Sequence, residues 1–257
     1  MLGSDDSNKS KWHVPVSIIS ASNSTPVKIM MDREAEETTV RLPGVSSSDW
    51  VKLNPGVEGY FRCVPLTSLK QTMQQTVIVQ CFRVSYTPED LTKLCAAVET
   101  KALSTVDRLN VLDDLFSLIA AGKAKTVDGL RLVKSYKNED SYIVWNNIVN
   151  QAAKISIIIA DKDYYDDWQR FKLDLFSVIK RSVSWDPVQG EGHLDTLLRS
   201  IVLGELGKCG DQEIRAEAKR RFDAHASGGA QVTIIIILIN ACVCVLPSAP
   251  KCIRFSL

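Results

Sequence analysis

The sequence predicts a β-sandwich followed by an all-α array of antiparallel helix hairpins, solenoid-like in character. Up to Tyr86 the apolar residues fall in short runs broken by turn signals, and from Thr87 their period becomes that of a helix. One capped helical segment then succeeds another to about residue 226. The chain has 257 residues, 45% of them hydrophobic and 24% charged, which is enough for two domains that each bury a core. A formal net charge of +1 supplies no basic excess to attract nucleic acid or an anionic membrane, so neither is an expected partner.

Residues 1–10 are polar and read as a disordered start. The opening MLGSDDSNKSKWH has no apolar core for a secretory signal and is too acidic for a transit peptide, so a cytoplasmic chain is expected. Residues 11–86 form the strand block. Its pieces are VPVSIISAS, PVKIMM, TTVRLPG, WVKLN, GYFR and TVIVQCFRVSY, rich in Val, Ile, Thr and aromatics, with Asn23-Ser24, Pro43-Gly44 and Pro55-Gly56 as turns. Short runs at this spacing suit a small antiparallel sandwich.

Residues 87–226 form the helical block. Thr87-Pro88-Glu89-Asp90 combines a hydroxyl N-cap, a proline at the first helical position and acids at the positive end of the dipole. Ser104 with Asp107 begins a second helix that Gly122 ends, and Thr126 caps a third. Asp140 or Ser141 precedes a fourth, and residues 164–179 supply a fifth. Residues 185–207, WDPVQGEGHLDTLLRSIVLGELG, read as one buried helix opened by Asp186 and Pro187, with Leu194, Leu197, Leu198, Ile201, Val202 and Leu206 at helical spacing and Gly207 as its stop. A polar seventh helix follows from Asp211 to about Ala224. The linkers suit hairpins stacked on neighbours, without a strict repeat period.

Residues 227–257 change character. The apolar run from Val232 to Leu246 is shorter than the roughly 20 residues of a spanning helix, which favours a buried or misfolded tail over a membrane segment.

Three histidines limit the chemistry on offer. His13 falls in the first strand region and His225 at a helix end, where a cation suits the dipole. Glu191 and His193 are two apart, a spacing that points them away from one another on a helix, so capping or packing is their expected role. A metallopeptidase helix needs H-E-x-x-H, which brings both imidazoles to one face. Asp113 and Asp114 lie mid-helix, and Asp161, Asp163, Asp166 and Asp167 cluster at a helix entry without the glycine and glutamate of a calcium loop. The seven cysteines, Cys63, Cys81, Cys95, Cys209, Cys242, Cys244 and Cys252, form no C-x-x-C pair and read as reduced thiols. No P-loop, G-x-G-x-x-G or G-x-S-x-G occurs. No catalytic, cofactor-binding or metal residue is therefore assigned.

Five stretches together resemble the C-terminal half of the puromycin-sensitive aminopeptidase family, zinc aminopeptidases of the gluzincin type. They are KWHVPV (11–16), DWVKLNPGVEGYFR (49–62), RVSYTPEDL (83–91), STVDRLNVLDDLFSLIAAGK (104–123) and WDPVQGEGHLDTLLRSIVLGELGK (185–208). The resemblance implies a small β-sandwich and a partial helical bowl that closes over a peptide cavity in the intact enzyme. The family's G-A-M-E-N and H-E-x-x-H motifs occur nowhere in this sequence. The resemblance thus implies zinc in the intact family but no cofactor in this chain. It also implies peptides as partners in the intact enzyme's context, and no peptidase activity for the chain alone. The alternatives are a helical interaction or regulatory module, with the full-length enzyme as a partner, and an unstable truncated isoform.

Two departures from the family text stand out. Residues 63–83 form an insertion between near-duplicate ends, YFRC and CFRV, as altered splicing or gene modelling would leave. The motif series also stops near Ser227, which would leave the helical array incomplete.

Overall fold

The computed structural model describes residues 13–32, 40–58, 63–64, 80–81 and 84–227. The expected disordered start, the GYFR run, most of the insertion and the apolar tail lie outside those residues. Among the described residues, a three-stranded antiparallel sheet precedes seven α-helices. No helix among them is long and apolar enough to cross a membrane. Contacts divide the chain into two compact units, residues 1–138 and 139–257, so the first three helices group with the strands.

In the first unit β1 (Val14–Ser20) is central, flanked by β2 (Val27–Met31) and β3 (Val51–Leu53). Val16 lies opposite Ile29, and Ile18 lies opposite Val27 and Leu53. Alternation along β1 sends Val14, Val16 and Ile18 into a core shared with Met31, Val40, Leu42, Val51, Leu53 and Val84. The expected strand around TTVRLPG is reduced to a single bridge residue, Arg41, among its described residues, although Val40 and Leu42 still fill the core. A further two-residue ladder pairs β4 (Cys63–Val64) with β5 (Gln80–Cys81).

Helix α1 (Pro88–Glu99) starts as the sequence predicts, with the Thr87 hydroxyl accepting from Asp90 N–H at 3.1 Å. Helix α2 (Thr105–Ala120) is capped by Ser104, whose hydroxyl accepts from Asp107 N–H at 3.1 Å and donates to the Asp107 carboxylate at 2.6 Å. Helix α3 (Thr126–Lys134) corrects the expected cap: Lys125 is the N-cap and Thr126 is already helical, without a side-chain cap bond. Its Gly129 allows close approach to α2, since a Cβ there would stand 2.6 Å from Ile119 Cδ1.

One polar joint ties β3 to α2. Strand alternation sends Lys52 to the face opposite Val51 and Leu53, and its ammonium is fully buried. It donates to Asn110 Oδ1 at 2.7 Å and to the Leu53 carbonyl, and stands 3.8 Å from Asp107 Oδ1. Asp107 also accepts the Gly56 N–H at 2.8 Å, fixing the Asn54-Pro55-Gly56 turn, where Asn54 and Gly56 take φ of 53° and 68°. Burial lowers the Lys52 pKa to about 8, against the pull of Asp107 and Asp114, which favours the charged form.

The second unit holds α4 (Tyr142–Ile158), α5 (Tyr165–Lys180), α6 (His193–Cys209) and α7 (Gln212–Ala226). Glu139 caps α4 from outside, accepting the Asp140 and Ser141 N–H groups at 3.1 and 2.9 Å. Trp145 and Phe176 meet at a ring separation of 5.5 Å in a core with Ile148, Val202, Leu203, Leu206 and Ile214. Helix α6 corrects two expectations. It begins at His193, because residues 184–192 form an irregular strap instead of its first turns, and it ends at Gly210, whose φ of 98° only glycine adopts freely. Gly207 is buried within the helix, and Leu194 is 54% exposed where the apolar face was expected.

Removing Asp107 leaves a buried ammonium short of its nearest anion, so Asp107→Ala is expected to lower unfolding free energy by about 3–5 kcal/mol in urea titration. Asp107→Asn, which keeps an acceptor for Gly56, is expected to cost less. The folded pKa of Lys52, about 8, lies below its ordinary 10.5, so the unfolded chain binds more protons in that window. Stability is therefore expected to rise between pH 8 and 10.5 by up to about 3 kcal/mol. Lys52→Met should remove this increment from the pH profile of urea unfolding.

Candidate functional site

The strap of residues 184–192 and the start of α6 hold Glu191 and His193, an acid and a histidine two residues apart. Arg199, buried on α6, donates through Nε to the Ser184 carbonyl at 2.8 Å and through its terminal nitrogen to Glu191 Oε2. Glu191 also accepts the Val188 N–H at 2.8 Å and the Thr196 hydroxyl at 2.8 Å. The Arg199 bond, followed by these donors, lowers the Glu191 pKa to about 2 and keeps it an anion. A carboxylate so depressed is a poor general base near neutral pH. His193 is exposed as the first residue of α6, and the helix entry is capped by Asp195, which accepts the Gly192 N–H at 2.8 Å. Glu191 and His193 are thus placed at a helix entry, with the glutamate's oxygens already engaged by strap and helix donors.

The other end of the strap is held from α7. Arg221 makes a two-pronged pair with Asp186, at 2.7 and 2.8 Å, and bonds Glu217 through Nε at 2.7 Å. Its guanidinium stands 5.1 Å from the Trp185 ring centre. The bond to Arg221 lowers the Asp186 pKa, and the Asp186 bond raises that of Arg221. These pairs explain why Asp186-Pro187 does not open a helix: the aspartate that resembles a cap is committed to another element. Arg199 and Arg221 carry this arrangement, yet the sequence marks them only as charges within helices.

The remaining candidates are dispersed. His13 precedes β1 and His225 lies in the last turn of α7, both exposed. Asp161, Asp163, Asp166 and Asp167 are exposed around the entry of α5, with Asp161 paired to Lys162 at 3.2 Å and Asp167 paired to Arg170. Asp114 is buried beside the Lys52 joint, which the sequence-level reading of a mid-helix acidic pair missed. The signal was there: a lysine enclosed by Val51 and Leu53 in a strand buried on both faces has to meet an acid. Burial raises the thiols of Cys95 and Cys209, the latter to about 11, so both are held as neutral thiols. An apolar recess on the sheet, lined by Ile18, Ile19, Val27, Leu42, Pro43 and Val45 with Ser20 and Asn23, carries no titratable group.

Zinc does not fit these residues. Among those described, no three His, Cys, Asp or Glu side chains assemble into a donor set. Glu191, the carboxylate beside a histidine, already has its oxygens engaged by Arg199, Val188 and Thr196.

A small antiparallel sheet leading into packed helices, held by internal ion pairs, defines a helical module. The chain belongs to the ERAP1-like C-terminal domain family, whose model matches residues 79–246. That match runs past Ser227, where the motif series stops, and takes in the isoleucine run. Aminopeptidase M1-A of Oryza sativa subsp. japonica is 30% identical over 229 residues, which cover 86% of this chain and 24% of the relative. The puromycin-sensitive aminopeptidase of Caenorhabditis elegans is 23% identical over 232 residues, 90% of this chain and 22% of that protein. The glutamyl aminopeptidase of Sus scrofa is 26% identical over 229 residues, 89% of this chain and 22% of that protein. The chain therefore spans about a quarter of the length of the relatives it matches.

If the strap is held by its ion pairs, Glu191→Ala should speed amide hydrogen exchange at residues 184–192 and leave that of α4 unchanged. Acidification from pH 4.5 towards 2 should have the same local effect. The anion's contribution is present above its unfolded pKa and is lost as the carboxylate protonates.

Proposed function

We propose that this chain is a non-catalytic C-terminal portion of a zinc-dependent aminopeptidase, whose helices shape the peptide cavity when a catalytic domain is present. The observation that carries the reading is the match of an aminopeptidase-type C-terminal domain over residues 79–246, in a sequence without H-E-x-x-H. On this reading the strands around residues 11–86 belong to a small sandwich, and the hairpins of 87–226 belong to an incomplete solenoid-like bowl. Zinc belongs to the catalytic domain of the intact enzyme, and peptides are partners only in that setting. A cytoplasmic location is part of this proposal.

A second reading is an interaction module that docks on the full-length enzyme. It is favoured by Ile157 and Ile158 at the end of α4, which are 78% and 72% exposed.

Both readings are tested by immobilising the chain and presenting two preparations of aminopeptidase M1-A: the intact protein, and a form lacking the segment that matches this chain. Retention of the shortened form, with raised turnover of peptide substrates, is the expected outcome. Retention of the intact protein alone would favour the interaction module. Retention of neither would contradict both.

A further inference from the structure

The insertion at residues 63–83 begins and ends in near-duplicate text, and each copy places a cysteine at its inner boundary: YFRC closes on Cys63, and CFRV opens on Cys81. The backbone brings these two positions together. Strands β4 and β5 run antiparallel with Cys63 directly opposite Cys81 and Val64 opposite Gln80. Directly opposed residues in such a ladder have Cα atoms about 4.5–5.5 Å apart. A disulfide spans Cα separations of about 4.4–6.8 Å, a range that includes the usual spacing of directly opposed residues.

We propose that Cys63 and Cys81 are a redox-responsive cross-strand pair, which a small disulfide oxidant such as glutathione disulfide converts into an intrachain disulfide across the β4–β5 ladder. One cysteine, as its thiolate, attacks a glutathione disulfide sulfur and releases one glutathione thiolate, leaving a mixed disulfide. The other cysteine, as its thiolate, attacks the protein sulfur of that mixed disulfide and releases the second glutathione. The protein loses two S–H bonds and gains one S–S bond. The oxidant is reduced to two glutathione thiols, which carry away both protons. The bond would close the segment 64–80 into a loop and make the ladder covalent. Cys95 and Cys209 are poor competitors for the oxidant, because burial holds both as neutral thiols on helices of different units.

The test uses the full chain, incubated with glutathione disulfide, alkylated without reduction, digested and analysed by mass spectrometry. The expected product is a linked peptide containing Cys63 and Cys81, two hydrogens lighter than its parts and resolved by dithiothreitol. Alkylation of the two sites should be lost together while Cys95 and Cys209 stay unlinked. In Cys81→Ser, Cys63 should stop at the glutathione adduct. Free thiols at both positions, stable glutathione adducts on the unsubstituted chain, or links from Cys63 or Cys81 to Cys242, Cys244 or Cys252 would each overturn the proposal.

Discussion

A cation taken out of water must be met by oxygens that do not move away, and both units of this protein use that constraint to bind irregular chain to a helix. In the first unit the cation is Lys52, met by Asn110, Leu53 and Asp107. Through Asp107 the same joint also holds the Gly56 turn and the Ser104 cap of α2. In the second unit the cation is Arg199, met by the Ser184 carbonyl and Glu191, with Arg221 holding Asp186 further along the strap. Apolar burial supplies most of the driving force around both joints. The joints decide where turns and loops are anchored against helices that would otherwise present only smooth apolar faces.

This constraint also marks what the sequence made legible. Local signals acted locally: Thr87 and Ser104 start their helices as capping chemistry requires, and Val14, Val16 and Ile18 alternate into the core as strand periodicity requires. Signals settled by a distant partner were misread. Asp186-Pro187 has the local text of a helix start, but a residue 35 positions away takes its carboxylate. Gly207 has the local text of a stop, yet its carbonyl accepts from both Gly210 and Arg215 inside a continuing structure. Thr126 failed as a cap for a smaller reason, a shift of one residue at a helix end. At the candidate site, the spacing of Glu191 and His193 pointed to helix entry. The arginine that holds the glutamate was not readable from spacing at all.

The same geometry sets the structural role of the polar side chains. Glu191 is engaged by three kinds of donor, His193 faces outward, and the acidic clusters are split between a buried joint and exposed ion pairs. Such an arrangement stiffens a strap and a helix entry. The family match and the aminopeptidase names of the relatives place the sequence beside peptide-cleaving enzymes, of whose length it spans about a quarter.

Metal content and turnover, measured on one purified sample, most directly test whether the chain carries aminopeptidase architecture without aminopeptidase chemistry. The expected result is no stoichiometric zinc and no chelator-sensitive release from aminoacyl fluorogenic substrates. Zinc bound in proportion to the chain, with turnover that a chelator abolishes, would contradict it.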